Sequence, residues 1–267
     1  MAKTPSRLIV PFVAALAIGA SAFAEENKAT FTVAPPPVGY PDFNAGDATE
    51  QAGGGAVVIK TDYGGLAGWL VGGSGAWQFQ FCPVDDLALG ASVAGSLMAG
   101  DRNCLLLMSA PFGVSLAAEL FEWRGSTFYA FGYAGGTLSY SSQIIGIPIG
   151  IGDVIDETSV ETMSGILSAG IGCQANAALG GFVVSPFAQW TWSGGVYGTT
   201  QSSSLSFDYP SRSGEVELSM NSIYGFDLLY QPLGWSLSSQ LRLGEGYQMI
   251  TLALRRLLGA AKARSGA

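Results

Sequence analysis

The chain has 267 residues, of which 48% are hydrophobic and only 12% charged, and it carries a net charge of −8 with no histidine. Ordinary soluble domains carry about 25% charged residues and about 7% glycine, whereas this chain has 38 glycines. A soluble domain covers its surface with charge, so the composition favours a second surface that water does not wet. The acidic balance excludes the basic face that nucleic-acid binding requires.

The N-terminal segment has the three parts of a secretory signal peptide. Lys3 and Arg7 form its basic region, an apolar stretch follows, and Ala22-Phe23-Ala24 forms a small-residue cleavage site. We therefore expect residues 1–24 to be a signal peptide and the mature chain to be exported. Residues 25–54 contain a triple-proline run and end within the glycine run 53–55, and this composition predicts a flexible periplasmic leader.

Beyond the signal peptide, no run of residues is long and apolar enough for a membrane-spanning helix. Lipid requires every backbone polar group to be satisfied internally, so the remaining way to span a membrane is a closed β-barrel. The expected sign is a series of strands with one apolar and one polar face. Such alternation occurs, in chain order, at residues 77–81, 87–97, 106–120, 163–177, 182–197, 218–231 and 235–255.

The last of these ranges, residues 235–255, contains two strands and illustrates the pattern. Leu237 and Leu241 alternate with Ser238 and Gln240, and after a glycine-containing turn the alternation resumes to residue 255. Residues 126–141 are aromatic on both faces; they predict a strand whose orientation the pattern does not decide. The strands named so far number nine, and an even number is needed for both chain ends to lie on one side of the membrane. Residues 56–70 are expected to supply the tenth strand.

Short and long connections alternate, as they do in bacterial barrels. Short turns are predicted near residues 83–86, 122–125, 179–181 and 231–234, and long outer loops at 142–162 and 199–217. We predict an all-β, transmembrane, antiparallel up-and-down β-barrel of about ten strands over residues 55–256, with eight or twelve strands as alternatives. A basic C-terminal tail follows at residues 257–267. The other architecture is a soluble secreted β-sandwich, whose outward faces would carry more charge.

On this pattern the chain resembles the small outer-membrane β-barrel proteins of diderm bacteria, of the OmpA/OmpW-like class, over roughly residues 55–256. The resemblance implies a place in the cell outer membrane, contact with membrane lipid and lipopolysaccharide, and insertion by the barrel assembly machinery. Such barrels carry aromatic girdles near the membrane surfaces. The candidate girdle residues are Trp69, Trp77, Trp190, Trp192, Tyr224, Tyr230, Trp235 and Tyr247.

Few charges fall on the predicted lumen face. Pairing the last three strands through their turns places Asp227 and Arg255 near the periplasmic mouth, with Glu119 at the same depth and Lys60 nearby. Arg242 is expected near the outer mouth. Such a lumen charge cluster acts either as the constriction of a channel or as an interior ion-pair group that fills a narrow barrel.

Catalysis is not predicted. A chain without histidine cannot build a Ser-His-Asp triad or a histidine proton relay. The resemblance also implies this, because the enzymes among such outer-membrane barrels rely on histidine. Three scattered cysteines without histidine form no metal-ligand cluster, so we expect neither a metal nor a cofactor.

Two functions remain after these exclusions. The first is a structural or surface-interaction role through the outer loops 142–162 and 199–217, toward an extracellular ligand that the sequence does not identify. The second is a narrow porin-like channel for small or amphipathic solutes. Glycines on the predicted lumen face, as at Gly170 and Gly225, would leave room for water and keep the channel possible.

Overall fold

The alternation of large apolar and small polar residues becomes, in the computed structural model, a sheet that closes on itself. The structure describes residues 44–63, 68–100, 106–148, 155–203, 211–245 and 247–258. The described residues include no helix that is long and apolar enough to cross a membrane. They form ten strands: β1 (Ala48–Tyr63), β2 (Gly68–Val84), β3 (Leu87–Gly100), β4 (Leu106–Trp123), β5 (Ser126–Pro148), β6 (Ile155–Leu179), β7 (Phe182–Ser203), β8 (Arg212–Tyr230), β9 (Trp235–Gly244) and β10 (Tyr247–Leu258).

Each strand pairs antiparallel with its neighbours in sequence, and β1 pairs with β10 to close the barrel. The closing seam runs from Ala52 opposite Leu258 to Tyr63 opposite Tyr247. Closure satisfies the backbone of both terminal strands, which an open sheet would leave exposed. The predicted all-β, antiparallel up-and-down barrel of about ten strands is confirmed.

Four tight turns lie at one end of the barrel, within the segments where the sequence predicted them. Arg124 and Gly125 both have positive φ angles, of 53° and 74°, which is the geometry of the type I′ turn that suits twisted hairpins. The first residue of β1, Ala48, and the last residue of β10, Leu258, lie at the same end. We call this end the turn end and the opposite end the rim.

The strands differ widely in length, and the excess length lies at the rim. Strands β5, β6 and β7 have 23, 25 and 22 residues, whereas β9 and β10 have 10 and 12. About 9–11 residues suffice to cross a bilayer at the usual tilt. Strands β5 to β7 therefore extend well beyond the length that the membrane requires.

This extension corrects the two long outer loops predicted from the sequence. Much of residues 142–162 and 199–217 is strand, because Gln143 pairs with Val160 and Thr199 pairs with Arg212. Continuing the ladder gives these backbone groups partners that a loop would have to find in water. We call the projecting strand segments, residues 143–148, 155–162, 199–203 and 212–217, the raised wall.

The predicted limits of the barrel also shift at both ends. Strand β1 begins at Ala48, inside the segment predicted as a flexible leader, because its first residues pair with the turn end of β2. Just before it, Gly46 N donates to Cys82 O at 2.8 Å. Leu258 belongs to β10 instead of the tail. The signal peptide, the rest of the leader and residues 259–267 lie outside the described residues.

The outer face of the barrel is apolar and the inner face is packed. Large apolar side chains on the outer face are exposed, with Val114 at 61%, Leu167 at 70% and Ile171 at 57%. The alternate residues of the same strands point inward. An apolar band around a closed barrel is the surface that lipid covers in bacterial outer membranes, and this is where the protein lies.

Strand β5, whose orientation the sequence left open, also follows this rule. Tyr129 and Phe131 are buried inside, at 1% and 4% exposure, whereas Leu138 is 62% exposed on the outer face. Phe128 stacks against the outward-facing Phe121, with ring centroids 4.5 Å apart. One strand therefore contributes aromatic rings to both the lipid-facing surface and the interior.

Candidate functional site

The interior at the turn end is filled by a buried ion pair and its supporting hydroxyl. Arg255 Nη2 lies 3.5 Å from Asp227 Oδ1, and both side chains are almost completely buried. Ser236 Oγ donates to the two oxygens of Asp227 at 2.7 and 2.9 Å. Asp227, Ser236 and Arg255 lie on β8, β9 and β10, which are consecutive strands of the barrel. The short connections between these strands bring the three residues together.

Further polar and aromatic side chains complete this layer. Gln174 Nε2 donates to Asn176 Oδ1 at 2.7 Å, and both residues are buried. Gln80 and Tyr129, on β2 and β5, are buried at 3% and 1% exposure. We call the layer formed by Gln80, Tyr129, Gln174, Asn176, Asp227, Ser236 and Arg255 the floor.

The other members of the predicted charge cluster lie apart from this pair. Glu119 lies near the turn end on β4, where its backbone pairs with Tyr129. Arg242 lies on β9 and lines a cavity above the floor. The structure thus divides the predicted cluster between two levels of the interior.

Lys60 is not in the interior, and its predicted place in the lumen is wrong. Val57 and Ile59 are the inward residues of this part of β1, both with 0% exposure. The period of two then places Lys60 on the outer face, where its Nζ lies 5.6 Å from the centre of the Trp69 ring. Residues 56–60 are nearly all apolar, so alternation gave no sign of which face was which.

An apolar group occupies the inner face of β10, β1, β2, β3 and β4 toward the rim. Sequence reasoning missed it, because the lumen was expected to be polar. The sequence does contain a signal for it: on β2 and β3, the face that carries the small polar residues also carries the large apolar residues Leu70 and Met98. Its members are Val57, Ile59, Leu70, Met98, Leu107, Met249 and Ala253.

Three inward-facing glycines are covered by aromatic rings from the preceding strand. A Cβ at Gly170 would lie 2.6 Å from Tyr133 Cε1, and a Cβ at Gly225 would lie 2.6 Å from Phe187 Cζ. Gly172 meets Phe131 in the same way, at 2.5 Å. The expectation that Gly170 and Gly225 leave room for water is therefore corrected, since rings occupy that room.

A cavity of about 140 Å³ nevertheless remains above the floor. One side of it is a row of small or flexible residues that face each other across successive strands. Tyr133 and Thr191 close another side with a hydrogen bond between their hydroxyl groups. The row consists of Gln78, Ser92, Gly113, Gly135, Ser168 and Ser193, which pair in this order from β2 to β7.

The predicted aromatic girdle lies on the outer face as far as the structure describes its side chains. Tyr230 packs against Phe182 at the turn end, with ring centroids 4.8 Å apart, and pairs with Trp235. Trp77 Nε1 donates to Glu50 Oε1 at 2.7 Å. The five tryptophans of the predicted girdle are exposed at 37 to 50%: Trp69, Trp77, Trp190, Trp192 and Trp235.

Trp69, Tyr230 and Trp235 lie at strand ends as predicted, but other girdle residues do not. Trp190 and Trp192 lie in the middle of β7, because this strand continues into the raised wall. Tyr224 lies in the middle part of β8. The side chain of Tyr247 is outside the described part of the structure.

Metal-binding chemistry has no obvious place in the part of the chain that the structure describes. There, no three histidine, cysteine, aspartate or glutamate side chains come together. Cys82 is a buried free thiol near the turn end, and Cys173 is a half-buried free thiol on β6.

Comparison with known proteins identifies the fold without a family. No family model matches the chain, and no curated protein matches it. Among solved structures, the outer membrane protease OmpT from Escherichia coli is 11% identical with a TM-score of 0.51, covering 79% of this chain and 96% of that one. At this identity the likeness extends to the barrel fold alone.

Two other solved barrels are more distant in shape. The translocator domain of the autotransporter NalP from Neisseria meningitidis is 8% identical with a TM-score of 0.44, covering 78% of this chain and 87% of that one. Neisserial surface protein A is 10% identical with a TM-score of 0.33, covering 80% of this chain and 99% of that one.

Proposed function

We propose that this protein is a non-conducting outer-membrane barrel that acts on the outside of the cell through its raised wall. The observation that carries the proposal is the floor, a layer of buried polar and aromatic side chains with one ion pair at the turn end of the lumen. A role of this kind is also what the OmpA/OmpW-like class would imply, and we retain that class as part of the proposal.

The floor favours a closed lumen because opening it is costly. Asp227 and Arg255 are buried together, and separating a buried pair leaves a charge without its partner at a cost of about 3–5 kcal/mol. Ser236 adds two short hydrogen bonds to the same carboxylate. A solute would have to displace this group to leave the lumen at the turn end.

The raised wall favours a role in surface contact. It is built from paired strands, so its side chains are held on a rigid scaffold. Glu161, Glu215 and Glu217 are exposed there, and Val196 and Leu218 nearby are 60% and 77% exposed. A partner that matches this surface carries basic and apolar groups.

The orientation of the barrel supports an outward-facing wall. Bacterial barrels have short turns on the periplasmic side and longer extensions outside, which places the turn end inside and the rim outside. Lys60 then lies over Trp69 on the outer face close to the rim, where it offers a cation to the phosphates of lipopolysaccharide. Recognition by the barrel assembly machinery remains part of the same proposal.

Conductance across a planar bilayer tests the floor. We expect the full chain, folded in detergent and shown to be inserted, to give no discrete current steps. A variant in which Tyr129, Asp227 and Arg255 are all replaced by alanine should conduct if it inserts, because these side chains fill the turn end. Regular steps from the unchanged chain would contradict the proposal.

Labelling of single cysteines tests the orientation. In a chain whose native cysteines are replaced by alanine, we expect Glu215→Cys to react with a membrane-impermeant maleimide in intact cells. Asp86→Cys, at a tight turn, should react only after the outer membrane is opened. The reverse pattern would place the raised wall in the periplasm and end the proposal.

A narrow channel for small or amphipathic solutes is the second candidate, and the cavity above the floor is the observation that favours it. Current steps in the bilayer experiment would support this candidate directly. We propose no catalytic activity, because the likeness to a protease lies in the fold and the chain has no histidine.

A further inference from the structure

We propose that the cavity above the floor is a binding site for a small hydroxylated carboxylate. This site is distinct from the raised wall, so the inference goes beyond the proposed function. Because the floor fills the turn end, the ligand reaches the cavity from the rim.

The charge of the lining selects an anion. Among the described residues that line the cavity, Arg242 is the only charged one, and none is a carboxylate. A guanidinium presents two parallel N–H groups that match the two oxygens of a carboxylate. Attraction between opposite charges is stronger in a partly enclosed cavity than in water. A cation would meet the repulsion of Arg242 and would find no carboxylate among the described lining residues.

A buried amide points to a ligand that also donates hydrogen bonds. Gln78 lines the cavity and is 6% exposed, and its Oε1 has no hydrogen-bond partner among the described atoms. A buried acceptor left in this state costs about 1–3 kcal/mol. A ligand hydroxyl donating to Gln78 would recover that cost, and a simple inorganic anion such as chloride could not.

The rest of the lining is partly apolar, with Phe112, Ile166 and Ile223, and partly suited to a compact molecule with hydroxyl groups. Ser92, Ser115, Ser168 and Thr191 line the cavity with hydroxyls, which both donate and accept hydrogen bonds. The volume of about 140 Å³ is close to that of a cavity known to hold benzene, which has six heavy atoms. The ligand therefore has about six or seven heavy atoms, as a three-carbon hydroxy acid does.

Isothermal titration calorimetry of the full chain, folded in detergent, tests the site with D-glycerate as the probe. We expect saturable binding of glycerate and at least tenfold weaker binding of glycerol, which has a similar size and hydroxyl pattern but no charge. The absence of saturable heat from folded protein would overturn the proposal, and so would equal affinity for the two probes.

Substitutions locate the binding. Arg242→Gln should weaken glycerate binding at least tenfold, and Arg242→Lys should restore part of the loss. Ser168→Phe should abolish binding by filling the cavity. Lys60→Gln is the matched control, because it removes a positive charge from the outer face and should leave the affinity unchanged.

Folding of each variant is checked by its heat-modifiable mobility on gels. If Arg242→Gln does not fold, Gln78→Leu and Ser168→Phe carry the test. Unchanged binding in all of the folded cavity variants would place the glycerate elsewhere and overturn the proposal. Conductance and cysteine labelling do not depend on the cavity, so failure of this inference leaves the proposed function standing.

Discussion

At the scale of single residues, the buried pair of Asp227 and Arg255 carries the clearest energetic expectation. Asp227→Ala would leave the Arg255 guanidinium in a buried layer without its carboxylate. We expect the free energy of unfolding to fall by about 3–5 kcal/mol, measured by urea titration of the detergent-folded barrel. Glu215→Ala, which removes an exposed carboxylate from the raised wall, should cost less than about 1 kcal/mol. Equal losses would mean that the pair does not stabilise the floor.

The glycines beneath aromatic rings give a second expectation at the same scale. Gly225→Ala would bring a Cβ to 2.6 Å from the Phe187 ring and 2.8 Å from the Ser239 carbonyl oxygen. We expect a loss of about 1–3 kcal/mol from overpacking. Gly95→Ala is the control, since its nearest contact would be 3.9 Å away. If both variants unfold at the same urea concentration, the ring does not fill the space above Gly225.

The positions of interior side chains could be predicted where a short turn nearby fixes the register of the strands, and not elsewhere. The proximity of Asp227 and Arg255 followed from the two short connections, between β8 and β9 and between β9 and β10, which together fix the register of the three strands. Lys60 was placed wrongly because the residues around it are apolar on both faces. The rings over Gly170 and Gly225 depend on side-chain rotamers across neighbouring strands, which spacing along one strand does not contain.

At the scale of strands, the two faces of β9 provide a direct test of orientation. Leu237 lies on the outer face at 43% exposure, and an arginine there costs about 2–4 kcal/mol at the middle of the bilayer. Gln240 lines the cavity, so an arginine there keeps its charge among polar groups. We expect Leu237→Arg to lower the membrane-inserted fraction far more than Gln240→Arg.

The control in this comparison follows from the structure. Ser238 also faces inward, but it is 3% exposed and packed above the floor, so an arginine at this position would fail for lack of space. Gln240 avoids that ambiguity. Similar loss of insertion in Leu237→Arg and Gln240→Arg would show that β9 does not present these faces to lipid and lumen.

The extent of the strands was harder to predict than their number. Inside the bilayer, lipid requires an apolar outer face, and the alternation it imposes is visible in the sequence. In the raised wall both faces meet water, so Gln143 and Val160 continue the ladder without any alternation to reveal it. Pro148 and the glycines near it also have the composition of a loop, although the backbone there pairs up to Pro148.

At the scale of the whole molecule, the interior has distinct levels. The floor is polar and packed, the cavity lies above it, and an apolar group covers the β10 to β4 side toward the rim. The outer face differs from the interior, because contact with lipid favours apolar residues at the outward positions throughout the membrane. The barrel was therefore predictable from composition and alternation, whereas the arrangement of its contents was not.

The rings that cover glycines have a consequence for the order in which the barrel assembles. Tyr133 joins β5 to β6, and Phe187 joins β7 to β8, so each joint forms between strands that are adjacent in the sequence. The two residues of each contact are fewer than 40 positions apart in the sequence, so bringing them together costs less conformational entropy than joining the two ends of the barrel. The seam between β1 and β10 instead joins the two ends of the barrel. We therefore expect the contacts between neighbouring strands to form before the seam between β1 and β10 closes.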